Sequence, residues 1–325
     1  MAENIEEIAT RMMGDAIDWL YSKQEKGGGW EGDVRTTSYV LQALVSAGIS
    51  PLDSRVKKGC DFLLKTQDPA RGDWNEDDGD TAEALRTLLL CGFDRQSKCI
   101  KNGYKSLESL KVLEKYLVCS EVGWVHPILV ARSFTAVDIE YPGLLESLEP
   151  FLTGAVKHHP KYTSRAVLAY FEAKKIKNGS SMNVAKRFLE TCVKEISSLS
   201  YESQGYVLQA LAVLGHNLKS GLIQRFLEYL KRNQSSNGSW NNNVGDTAQI
   251  VIGLSKLGIR YRKSSIWTKN NVMRLGTLLV IAIVSVAISL SSMERIFITI
   301  ENIIGLILAI IVIIEWVFHK KLVGV

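Results

Sequence analysis

The chain is short of the residues that mark several protein classes. Its 325 residues hold six prolines and 25 glycines, too few for a collagen-like or proline-rich architecture. There are five cysteines, at positions 60, 91, 99, 119 and 192. The odd count and the lack of any C-x-x-C spacing argue against a disulfide framework. No basic segment leads into an apolar run near the N-terminus, so no secretory signal is expected, and the thiols fit a reducing, cytosolic setting. Charged residues at 22% against 46% hydrophobic exclude a disordered chain.

Most of the chain also lacks a basic excess. The formal charge of +5 lies wholly in residues 260–325, which hold eight Lys/Arg and three acids; residues 1–259 balance at 31 of each sign. A neutral body argues against nucleic acid as a partner, because phosphate binding needs a basic footprint on the folded domain. A body of about 260 residues is long enough for one large core.

The tail holds two apolar runs. Leu275–Met293 is 19 residues without a charge, and Ile303–Phe318 is 16 residues broken only by Gly305 and Glu315. A spanning helix needs roughly 20 apolar residues, so both are read as transmembrane helices, the second extended by its neighbours. Five basic residues precede the first span, Lys320 and Lys321 follow the second, and one Arg with two Glu lies between them. Positive flanks stay inside, which predicts a hairpin with both ends cytoplasmic and membrane lipid as a partner. The expected organisation is therefore a helical body over 1–259, a basic juxtamembrane linker over 260–274 and a transmembrane hairpin over 275–325.

The body repeats. Asp18-Trp19-Leu20 leads to Gln24, Gly29-Trp30 and Gly48. Asp61-Phe62-Leu63 leads to Gln67, Gly72, Trp74 and Gly92. Glu228-Tyr229-Leu230 leads to Gln234, Gly238, Trp240 and Gly258. Trp to closing Gly is 18 residues in all three copies. Each unit reads as helix, Gly-rich loop, helix, with Asp80 and Asp246 at expected N-caps and the closing Gly at a C′ position. Weaker copies fill the middle at a period of about 40, giving six helix pairs.

The Gln-x(3,4)-Gly-x-Trp pattern behind an acid–aromatic–Leu triplet resembles the QW repeat of squalene–hopene cyclases and protein prenyltransferase β subunits. The resemblance covers residues 14–258 and implies an all-α fold, an α/α toroid of six inner and six outer helices around a cavity. It gives Gln24, Gln67 and Gln234, with Trp30, Trp74 and Trp240, a structural role: Gln bonding orphan backbone groups at helix ends, Trp stacking over the loop.

The chemistry of the family is incomplete here. Squalene–hopene cyclases protonate an alkene with the middle acid of Asp-x-Asp-Asp-Thr-Ala. Aligned on Asp80-Thr81-Ala82, Asp77 and Asp80 match the outer acids while Gly79 replaces the catalytic one, leaving Asp78 to act only by a shift of one residue. Asp77, Asp78 and Asp80 are the candidate catalytic group, because a proton donor must be a carboxyl kept protonated by burial and neighbouring acids. Gly245-Asp246-Thr247-Ala248 repeats the pattern without an acidic cluster, which favours a cap for Asp80. Prenyltransferase zinc needs Asp-x-Cys, and Asp78-Gly79-Asp80 stands in that place, so neither a metal nor another cofactor is expected. Asp33, His126 and Asp246 are candidate cavity residues. Two functions follow: binding or transforming an isoprenoid or similar lipid chain, or a non-catalytic, membrane-tethered scaffold for a ligand or protein partner. An apolar chamber with Asp78 or Asp80 facing inward would favour the first, a polar or filled interior the second.

Overall fold

The structure, a computed structural model, describes residues 4–109, 144–154, 159–174 and 179–261. The chain divides into two units, residues 1–262 and 263–325. Both apolar runs, and the linker beyond Tyr261, lie outside the described residues. Among those described, no helix is long and apolar enough to cross a membrane.

The described residues are all-helical, with eleven α-helices and no strand. In chain order they are α1 (Ile5–Ser22), α2 (Val34–Ser46), α3 (Ser54–Thr66), α4 (Asp78–Leu90), α5 (Lys98–Ser109), α6 (Leu144–Thr153), α7 (Pro160–Lys174), α8 (Ser180–Lys194), α9 (Tyr201–Val213), α10 (Gly221–Asn233) and α11 (Val244–Lys256). Two kinds of helix alternate. In α3 the buried residues are Val56, Gly59, Cys60 and Leu63, and in α10 they are Ile223, Phe226, Leu227 and Leu230. Spacing of three and four gives each a single apolar stripe, the mark of a helix with one face to solvent. By contrast, every residue is buried over 37–44 of α2, 78–85 of α4, 203–211 of α9 and 247–255 of α11. A helix buried on all sides is a core helix, and these pack side by side in the order α7–α9–α11–α2–α4. Each Leu or Ile fully enclosed this way contributes roughly 1.5–3 kcal/mol.

After α1, α3 and α10 the chain runs through the same loop three times. Trp30, Trp74 and Trp240 are fully buried. Their indole N–H groups donate to the carbonyls of Leu20, Leu63 and Leu230 at 2.7, 2.7 and 3.0 Å. Those carbonyls lie in the last turn of each preceding helix, where the regular ladder of N–H donors runs out; Leu20 also accepts the Lys23 N–H and Leu63 the Thr66 hydroxyl, each at 3.1 Å. The Trp indole, not the Gln, is thus the side chain that bonds the helix end in all three copies. Each Gln instead donates twice across an interface. Gln24 Nε2 reaches the Gly28 and Arg55 carbonyls at 2.8 Å each, and Gln67 those of Gly72 and Cys99 at 2.8 Å each. Gln234 reaches Gly238 at 2.8 Å and Met12 at 2.9 Å. The first two bonds tie a loop to the next helix pair; the third ties the last loop to α1.

Tight glycine packing follows the same rule. A Cβ on Gly28, Gly72 or Gly238 would lie 2.2, 2.5 or 2.3 Å from the carbonyl oxygen of Lys58, Asn102 or Asp15, and all three have positive φ. Each of those carbonyls is three residues beyond the one its Gln engages. The sequence periodicity does not mark α5, yet Cys99 and Asn102 of α5 receive the second loop as α3 receives the first.

Candidate functional site

The loop also sets the start of each core helix. The two residues after each Trp have φ between +51 and +60°: Glu31 and Gly32, Asn75 and Glu76, Asn241 and Asn242. The next N–H donates back to the Trp carbonyl, from Asp33 at 3.1 Å, Asp77 at 3.1 Å and Asn243 at 3.2 Å. Two left-handed residues closed by that bond form a type I′ turn. Its last residue is the N-cap: Asp33 accepts from the Thr36 N–H, Asp77 from Asp80 and Asn243 from Asp246. Asp80 and Asp246 are therefore not the caps that their Gly-Asp-Thr-Ala setting suggests. They stand three residues later, because acids are favoured throughout the first turn by the helix dipole and the pattern alone does not distinguish the positions. Thr37, Thr81 and Thr247, seven residues after each Trp, accept the Trp backbone N–H at 2.9, 2.9 and 3.1 Å.

Freed from capping, the two acids link neighbouring helices. Arg35 of α2 donates through Nε to Asp80 Oδ1 at 2.7 Å and through a terminal nitrogen to Asp77 Oδ1 at 2.9 Å. Asn75 donates to Asp80 Oδ2 at 2.9 Å. Burial raises the Asp80 pKa above the ordinary value, against the lowering effects of Asn75 and Arg35, with Asp77 and Asp33 adding to the rise. Asp246 accepts the Glu202 backbone N–H at 3.0 Å, and its pKa too is raised, chiefly by burial. Asp78 is buried, with Oδ1 accepting the Gly79 N–H at 3.0 Å. Of the sequence-predicted residues, Asp77 and Asp80 come together on Arg35, Asp33 caps α2, and Asp246 serves the α9–α11 pair. His126 lies outside the described residues.

Sequence reasoning missed what fills the space between the core helices. Arg165 of α7 is 1% exposed and donates through one terminal nitrogen to the Tyr39 hydroxyl of α2 at 2.9 Å and the Tyr206 hydroxyl of α9 at 2.8 Å. Its guanidinium also stacks 4.3 Å from the centre of the Tyr206 ring. Glu202 lies 3.5 Å from that same nitrogen and 2.6 Å from Lys161 Nζ. The Lys161 pKa is lowered, mainly by burial and then by the Arg165 charge. Gln42 donates to Glu83 at 2.8 Å and Thr87 at 2.9 Å and accepts from Arg86 at 2.8 Å, while Arg86 pairs with Glu172 at 2.9 Å. Gln209 donates to Gln249 at 3.0 Å. The one signal for this layer was Thr163-Ser164-Arg165 opening an otherwise apolar run, which by itself reads as a helix start.

A proton donor to an alkene needs an unpaired carboxyl facing an apolar space. Here Asp77 and Asp80 share a guanidinium, and the elements around them are joined by polar bridges. Among the described residues no group of three or more His, Cys, Asp or Glu is placed to hold a metal ion.

Comparison with known proteins shows a shared fold. A crystal structure of a protein from Actinoplanes superposes with a TM-score of 0.60 at 17% identity, covering 78% of this chain and 99% of that one. No protein-family model matches the chain, and no curated protein does.

Proposed function

We propose that residues 1–259 close into an α/α toroid of six helix pairs and act as a non-catalytic binding module, held on the cytoplasmic face of a membrane by a C-terminal hairpin. Closure is supported by the last loop: Gln234 and Gly238 meet Met12 and Asp15 of α1 as Gln24 and Gly28 meet Arg55 and Lys58 of α3. Pairing α1/α2, α3/α4, α6/α7, α8/α9 and α10/α11 leaves α5 as the outer helix of a third pair; the inner helix that the repeat period calls for lies outside the described residues. The membrane tether rests on the two apolar runs and the positive charge of their flanks.

The observation that carries the binding reading is the polar bridging of the interior. Arg165 joins α7 to α2 and α9, and Arg86 joins α4 to α7, where a terpene cyclase requires an open apolar chamber. An isoprenoid-transforming enzyme keeps one supporting observation, the raised pKa of Asp80. The two separate in one assay. The full-length protein, purified in detergent, is incubated with C15–C30 polyprenyl substrates and the products are analysed by mass spectrometry. No product is expected. A product that disappears in D78N or D80N would establish the enzyme and overturn the binding module.

A further inference from the structure

The described core helices run parallel, which gives the body two unlike ends. Arg35 of α2 meets Asp80 of α4 near their starts, and further along Gln42 meets Arg86. Lys161 and Arg165 of α7 meet Glu202 and Tyr206 of α9 in the same sense. Glu202 and Gln209 of α9 meet Asp246 and Gln249 of α11. Just past α11, the Tyr261 N–H donates to the Ala47 carbonyl just past α2 at 2.9 Å. The C-terminal ends of these helices therefore share one end of the body, with the loops 47–53, 91–97 and 214–220.

Both large hydrophobic side chains that are exposed among the described residues lie there. Leu52, in the loop after α2, is 74% exposed, and Leu90, the last residue of α4, is 42% exposed. Pro51 beside Leu52 is exposed, and Ile49 and Phe93 are partly so. Single exposed leucines are ordinary on a protein surface; their confinement to one end is not. Charge divides the ends in the same way. The opposite loops, 23–33, 67–77, 195–200 and 234–243, hold three basic and eight acidic residues. At the leucine end, residues 47–53, 91–97, 214–220 and 257–261 hold three basic and two acidic. Carbonyls at helix C-termini would add negative potential there, and Arg260 offsets it by donating to those of Ser255 and Ile259 at 2.9 and 3.0 Å.

The described body also ends here, at Tyr261, and only thirteen residues, 262–274, lead on to the first apolar run. We propose that this end docks on the bilayer interface, with Leu52 and Leu90 entering the boundary between headgroups and acyl chains. Apolar side chains gain from that boundary, while an anionic headgroup layer repels the acidic end. The proposal deepens the membrane-tether reading by naming the surface that meets the lipid, and it rests on that reading.

The test places the full-length protein in nanodiscs of phosphatidylcholine and phosphatidylglycerol, with and without lipid brominated near the headgroup end of its chains. L52W is compared with S236W, an exposed position in the loop after α10 at the other end. Trp267 and Trp316 contribute to the wild-type signal, so each variant is read as its difference from wild type. The added emission of L52W should be blue-shifted and quenched by bromine, and that of S236W neither. L52E/L90E, which places charge on exposed positions only, should speed amide exchange over 47–53 and 91–97 in the discs and leave 234–243 unchanged. An L52W signal that bromine does not quench, or equal quenching of L52W and S236W, overturns the docking while the tether stands. A blue shift of L52W that follows the number of protein copies per disc, and not bromine, assigns the face to a second copy and overturns it as well. Failure of the wild-type protein to enter the discs sinks the tether, and the docking with it.

Discussion

At the scale of single residues, the same three side chains solve the same problem in each loop, and each can be removed separately. Thr81 accepts the backbone N–H of Trp74 inside the core. In T81V a methyl replaces the hydroxyl at nearly constant volume and leaves a buried donor unpaired, a cost of about 1–3 kcal/mol. Urea denaturation should show the midpoint fall with an unchanged slope. Asp80 gives a prediction with a sign. Its folded pKa is raised above 3.8 by burial, so the folded state binds that proton more tightly than the unfolded chain. The resulting stability is fully present below the unfolded value and is lost as pH rises through the raised folded value. D80N removes this titration, so wild-type stability relative to D80N should decline with rising pH across that window. A relative stability that instead rises would mean Arg35 outweighs burial at this site.

At the scale of elements, the glycines separate two effects that sequence patterns merge. Gly92 closes α4 with φ +91° and has open space where a Cβ would go. G92A should cost only the left-handed penalty, about 1–2 kcal/mol. Gly72 also has positive φ, but its Cβ would lie 2.5 Å from the Asn102 carbonyl of α5. G72A should therefore cost clearly more than G92A and displace α5, which hydrogen exchange on Lys98–Ser109 would detect. Much of this layer was legible in advance, because the 18-residue step from Trp to closing Gly fixes loop, cap and helix length together. The cap itself was misplaced by three residues, since Asp77 and Asp80 are both chemically suited to a helix start and only the type I′ turn after Trp74 decides between them. The Arg165 cluster was not legible at all. Its partners stand 126 and 41 residues away, and nothing local to α7 reveals that they converge.

At the scale of the whole molecule, a few ion pairs join core helices, Arg35 to Asp77 and Asp80, Arg86 to Glu172, and Arg165 and Lys161 to Glu202. How those helices are arranged governs how the loss of one contact spreads. In an open array of helix pairs, stability is a sum of repeat and nearest-neighbour terms, and a terminal contact affects only the end unit. In a closed ring no pair is terminal. Gln67 joins the second pair to α5 and Gln234 joins the last pair to α1 through matching bonds of 2.8–2.9 Å. Closure predicts that Q67A and Q234A lower the global unfolding free energy by similar amounts, about 1–2 kcal/mol each, within one cooperative transition. An open array predicts that Q234A leaves the main transition in place and adds a separate early phase as α1 detaches. Urea unfolding followed both by tryptophan fluorescence and by amide exchange within α1 distinguishes the two, since Trp19 lies on α1 while Trp74 lies in the loop between α3 and α4.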